Sequence, residues 1–132
     1  MNLDNIVKFI LNKIPEPPQS AIIIGSGLGN IISLLVNPIH IKYNNIPGHP
    51  YNNLPGHQSE WVFGYFNDQP IIGANGRFHY YEGYSLEKIS ITVDIPHKLG
   101  CKKLLISNSA GCLVKAWNIG DFMIINLSLI HI

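Results

Sequence analysis

Charge is scarce in this chain of 132 residues: only 13% of its residues are Asp, Glu, Lys or Arg. Lys and Arg number 9 against 8 Asp and Glu, a net charge of +1. No basic surplus exists to draw in the phosphates of a nucleic acid or of an anionic membrane, so neither is expected as a partner. Cysteine is scarcer still. Cys101 and Cys112 stand alone without metal-ligand spacing, and no signal peptide precedes them, which points to reduced thiols and a cytoplasmic protein. Long apolar runs are missing too. Ala21 to Ile24, Leu104 to Ile106 and Phe122 to Ile125 are all far too short to cross a bilayer. The apolar N-terminal stretch is broken by Asp4 and Lys8, which spoils a signal-peptide core.

Two chemistries fall with these absences. The 6 histidines are scattered, with no HExxH or paired Cys/His arrangement, so no metal is expected; His40, His97 and His131 read as surface or cap residues. Ser26 lies in Gly-Ser-Gly rather than Gly-x-Ser-x-Gly, which argues against a serine hydrolase.

What is present is apolar bulk: hydrophobic residues make up 46% and the mean hydropathy is +0.15, which excludes a disordered or fibrous chain. The length suits one domain at most. Leu3, Ile6, Val7, Ile10, Leu11 and Ile14 recur at helical spacing, and Pro15, Pro17 and Pro18 end that helix. Ala21 to Ile24 reads as a strand buried on both faces, followed by Gly25-Ser26-Gly27-Leu28-Gly29 and a short helix over Asn30 to Val36. Pro38 to Gly56 reads as turns and short strands, within which Pro47-Gly48-His49 and Pro55-Gly56-His57 echo each other. Trp61 to Phe66 and Gln69 to Ala74 form a hairpin through Asn67-Asp68. Ser85 to Leu99 is a helix weakened by Pro96, Leu104 to Ile106 a buried strand, and Phe122 to Ile125 the last strand. Buried strands alternating with helices predict an α/β fold with a partly parallel mixed sheet flanked by helices. Residues 127–132 form an apolar run with no polar tail, which reads as an aberrant or truncated end of a fragment.

Two segments could carry chemistry. Backbone N–H groups in a glycine loop that opens a helix favour an anion such as phosphate, and Ser26 adds a hydroxyl donor. The loop is neither the dinucleotide fingerprint, since Asn30 takes the third glycine position, nor a P-loop; a tight turn with no ligand remains open. In Gly76-Arg77-Phe78-His79-Tyr80-Tyr81-Glu82-Gly83-Tyr84, Arg77 offers a fork of donors for phosphate oxygens and Tyr81 a flat apolar face. His79 can donate or hold a proton, with Glu82 three residues on to orient it. An ordinary half-exposed loop with an Arg–Glu pair is the competing reading.

Taken in order, the glycine loop at 25–29, Pro55-Gly56-His57, the Gly76 to Tyr84 segment and Ser107-Asn108-Ser109-Ala110-Gly111 resemble the successive motifs of the trimeric purine nucleoside phosphorylases. The resemblance covers residues 3 to 126 and only the N-terminal half of such an enzyme. It makes 1–126 the N-terminal part of a single nucleoside phosphorylase domain. It implies purine nucleoside plus phosphate going to free base plus ribose 1-phosphate, a step of purine salvage, with inorganic phosphate as co-substrate and no cofactor. Phosphate would be held by Ser26, His57, Arg77, His79 and the backbone at Ser109; Tyr81 would touch the ribose; His79 and Glu82 would be the catalytic pair. The Glu and Asn that recognise the base belong to the other half, so this chain alone is expected not to turn over, and a homotrimer is implied for the full length. The family usually has Thr-Asn-Ala-Ala-Gly-Gly where this chain has Ser107 to Cys112, and continues after Asn126 with Asp-His-Ile-Asn, which this chain does not. Methylthioadenosine phosphorylases share the fold and a similar glycine loop. A relative of that kind, or a non-catalytic fragment binding phosphate at most, are the alternatives.

Overall fold

The computed structural model describes residues 2–51 and 59–126. Helix α1, Leu3–Leu11, starts where the Asn2 side chain accepts the Asn5 amide at 3.2 Å, and its apolar face buries Ile6, Val7 and Ile10. Ile14, expected inside this helix, lies beyond its end but is still buried. Strand β1, Ser20–Ile24, follows the proline-rich bend.

The next segment departs from expectation. Residues 29–34 form a 3₁₀ turn rather than a helix, and Val36, expected to close that helix, opens strand β2, Val36–Lys42. The segment has no capping side chain at Leu28, a β-branched pair at Ile31-Ile32 and Pro38 close behind, so it cannot repay the nucleation of an α-helix. Strands β3, Glu60–Phe66, and β4, Gln69–Asn75, form the expected hairpin. Its two turn residues, Asn67 and Asp68, have φ of 48° and 59°, the positive pair that matches the twist of the flanking strands. Helix α2, Leu86–Leu99, runs through Pro96 to its last turn, and strand β5, Lys103–Ile106, completes the elements.

The sheet has 5 strands in the order β2-β3-β4-β1-β5. β1 is parallel to both β4 and β5, whereas β2, β3 and β4 are antiparallel, giving the partly parallel mixed sheet expected. Ala21, Ile23, Trp61, Phe63, Ile72 and Ala74 alternate along their strands onto one face. There they form the core with Ile6 and Ile10 of α1 and Ile91, Ile95 and Leu99 of α2. On the other face Val62 and Ile24 are buried, and Leu35 closes over Gly64.

Two expectations about the far edge are corrected. Leu104, Leu105 and Ile106 form a strand but are 41%, 59% and 55% exposed, because β5 pairs on one side only and no layer covers it among the described residues. Phe122 to Ile125 is exposed and without regular secondary structure rather than the last strand: among the described residues it has no neighbour to complete a hydrogen-bond ladder.

Candidate active site

Parallel strands present their carboxyl ends on one side of a sheet, where the loops that follow them meet. Here β4, β1 and β5 are adjacent, so the segments after Asn75, Ile24 and Ile106 emerge side by side with the glycine loop in the centre. The motifs singled out around Ser26, Arg77 and Ser109, far apart in sequence, therefore share one end of the sheet.

The central and β5 loops touch. The Gly25 amide donates to the Ser107 hydroxyl at 2.9 Å, and that hydroxyl donates to the Ile23 carbonyl at 3.2 Å. The Ser107 amide donates to the same carbonyl at 3.0 Å. Only glycine fits at position 25, because a Cβ there would sit 2.4 Å from the Ser107 carbonyl oxygen. Beyond this junction both loops are open: Ser26, Ser109, Ala110 and Gly111 are exposed, and the Ser109 carbonyl accepts from the Asn108 side chain at 3.2 Å.

On the β4 side, Arg77 is half-buried and its guanidinium has no ion pair among the described residues. The Arg–Glu pair of the competing reading is therefore not formed; Glu82 turns to His79 instead. Its Oε2 accepts the His79 amide at 2.9 Å and lies 3.4 Å from His79 Nδ1, a buried atom, in a capping box that also turns the His79 side chain toward the Glu82 amide. Glu82 thus holds the backbone of His79 as well as facing its ring. Tyr81 is 82% exposed and stacks on the His79 ring, with centroids 4.9 Å apart and planes at 18°. An exposed aromatic on a histidine is a ready platform for an apolar sugar face. His57 lies outside the described residues.

A buried polar cluster behind the Arg77 loop had no signal in the sequence. Tyr43, in a 3₁₀ turn over Tyr43–Asn45, is 1% exposed and donates its hydroxyl to the Gly76 carbonyl at 2.9 Å. His49 stacks on it at 4.2 Å. The Trp61 indole N–H can only donate, so His49 Nε2 accepts it at 3.0 Å and Nδ1 donates to the Pro50 carbonyl at 2.5 Å. Burial lowers His49 to about 4, against the partial support of that carbonyl, so the ring is neutral at pH 7. Burial, and then the charge of Glu60, push the Tyr43 hydroxyl far up, which keeps it a donor. Glu60 accepts from Asn75 Nδ2 at 3.2 Å and pairs with Nδ1 of His40 at 3.2 Å. His40 thus stands at the surface as expected, with the Glu60 carboxyl group as its partner.

No His, Cys, Asp or Glu cluster of metal-binding size occurs among the described residues, and no described helix is long and apolar enough to cross a membrane. A concavity of about 330 Å³ bordered by Pro18, Gln69, Lys102 and Lys103 lies at the opposite, amino-terminal ends of β1, β4 and β5. It includes none of the motif residues.

Comparison with known proteins bears on the family and the fold. The family model described as the phosphorylase superfamily matches residues 20–131. Purine nucleoside phosphorylase 1 of Bacillus subtilis is 37% identical over 93% of this chain and 45% of its own length. The purine nucleoside phosphorylase of Rattus norvegicus is 43% identical over 82% of this chain and 37% of its own. A crystal structure of a purine nucleoside phosphorylase with ribose 1-phosphate superposes with a TM-score of 0.83 at 33% identity, over 91% of this chain and 44% of that one. The Schistosoma mansoni enzyme in complex with adenosine gives 0.82 at 33% identity, over 91% of this chain and 42% of that one. The chain spans less than half the length of these relatives. Sequence and backbone together assign the family: the chain belongs to the phosphorylase superfamily, with purine nucleoside phosphorylases as its relatives.

Proposed function

We propose that this chain forms the phosphate and ribose side of a purine nucleoside phosphorylase, which converts purine nucleoside and phosphate to free base and ribose 1-phosphate. One observation carries the reading: the loops after β1, β4 and β5 converge at adjacent strand ends, with the Arg77 guanidinium unpaired among the described residues. Ser26, Arg77, His79 and the backbone at Ser109 bind the phosphate, joined by His57 as the family pattern implies. Tyr81 contacts the ribose, and Glu82 fixes His79. Residues 1–126 are the N-terminal part of one phosphorylase domain, and the groups that select the base lie outside them. A homotrimer in the cytoplasm, acting in purine salvage, completes the reading.

The chemistry suits the groups present. As the glycosidic bond breaks, positive charge develops on the sugar and negative charge on the base. A phosphate clamped beside the anomeric carbon stabilises the cation and then captures it, so positioning and electrostatics carry the step. It calls for no covalent intermediate, metal or organic cofactor, and phosphate serves as co-substrate.

Calorimetric titration with inorganic phosphate tests the reading. Removing a charge-assisted hydrogen-bond donor costs about 1.5–3 kcal/mol, so Arg77→Ala should weaken phosphate at least tenfold. No saturable phosphate binding by the unmutated chain, or an affinity unchanged in Arg77→Ala, overturns it.

A further inference from the structure

Arg77 is aimed by what holds its two neighbours, and one side chain holds both. Gly76 has φ of 124°, a conformation that glycine alone adopts readily, so the turn that presents Arg77 has little intrinsic preference for a single direction. Its carbonyl is pinned from behind by the Tyr43 hydroxyl at 2.9 Å. On the other side of Arg77, Phe78 is 4% exposed and its ring packs against that of Tyr43, with centroids 5.9 Å apart. Tyr43 is itself immobilised, stacked on His49 at 4.2 Å and packed against Trp61 at 5.8 Å. Arg77 has no such tether of its own among the described residues.

We propose that Tyr43 is a positioning residue for the phosphate site: its hydroxyl on Gly76 and its ring on Phe78 lock the peptide units on both sides of Arg77, so that the guanidinium meets the anion already oriented. This rests on the reading of Arg77 as a phosphate ligand. The advantage is entropic. A side chain on a fixed backbone gives up less freedom when it binds than one on a glycine hinge. Tyr43 reaches no substrate; it acts only through the loop.

The test compares inorganic phosphate binding by the unmutated chain, Tyr43→Phe, Arg77→Ala and the double variant. Tyr43→Phe keeps the ring and removes only the hydroxyl, and is expected to weaken phosphate three- to tenfold. In the Arg77→Ala background the same change should have no further effect, which general loosening of the core would not reproduce. Ile10→Val, a core truncation in α1 that leaves Tyr43, His49 and Trp61 unchanged, should lower the melting temperature and leave phosphate affinity unaltered. Loss of affinity in Arg77→Ala with none in Tyr43→Phe overturns the positioning role alone. Absence of phosphate binding by the unmutated chain overturns the phosphate reading and this role with it. Should Tyr43→Phe fail to melt cooperatively, the unmutated chain decides by NMR. Phosphate must then shift the Tyr43 hydroxyl proton and the Gly76 and Arg77 amides along one saturation curve; an unresponsive hydroxyl overturns the proposal.

Discussion

The Gly25 amide donates to the Ser107 hydroxyl at 2.9 Å across 82 residues of sequence, and that bond fastens the glycine loop to the loop after β5. Both loops leave parallel strands, so neither has a hairpin partner to set its position. Their mutual contact supplies what a turn would supply elsewhere, and it leaves Ser26 and Ser109 exposed beyond the junction.

Gly25→Ala should break this junction. The added Cβ would lie 2.4 Å from the Ser107 carbonyl oxygen and 2.7 Å from the Asn108 Cα, backbone atoms that cannot rotate aside. Overpacking of this kind costs about 1–3 kcal/mol, and phosphate affinity should fall with the separation of the loops. Ser107→Ala, which deletes a hydroxyl making two hydrogen bonds and leaves the buried Gly25 amide unpaired, should likewise cost about 1–3 kcal/mol. Denaturant midpoints check both variants; Gly25→Ala at unmutated stability would mean that the loops do not touch in solution.

His79 and Glu82 should behave as one unit toward phosphate. Glu82 holds the His79 amide at 2.9 Å and faces its ring nitrogen at 3.4 Å, so removing either partner spoils the other. A double-mutant cycle with His79→Ala and Glu82→Gln should therefore show losses in phosphate affinity that sum to more than the double variant's loss, by about 0.5 kcal/mol or more. Strict additivity would show that the two act separately.

His49 predicts a pH dependence of stability. It titrates at about 4 in the folded chain against 6.5 for an unperturbed histidine, so the unfolded chain binds the proton more readily. Stability is then complete above pH 6.5 and is lost as the pH falls toward about 4. At 1.36 kcal/mol per unit the loss reaches about 3 kcal/mol at the bottom of that window. His49→Phe removes this contribution, so the difference between the two proteins' urea-unfolding free energies should vary with pH inside the window and level off above it. A constant difference across the window would show that the buried imidazole is not the source.

Local pattern alone was enough for several elements of this fold. Helical spacing placed α1, the Asn67-Asp68 pair placed the hairpin, and apolar runs placed β1 and β5. Gly25 to Gly29 and Gly76 to Tyr84 were legible as candidate site segments from their residues, and Ser107 to Gly111 only through the resemblance to the family. The same local logic failed over Asn30 to Val36, where a helical run was too short and poorly capped to nucleate. It failed again at Phe122 to Ile125, where apolar character made a strand plausible but pairing needs a neighbour that no local pattern can supply. Strand order, and with it the meeting of the three loops, belongs to the tertiary structure, because parallel pairing joins segments by register rather than by adjacency. The support behind Arg77 is of the same kind. Tyr43 reaches Gly76 across 33 residues from an undistinguished turn, and it takes the pairing of β2 with β3 and of β3 with β4 to bring the hydroxyl to that carbonyl.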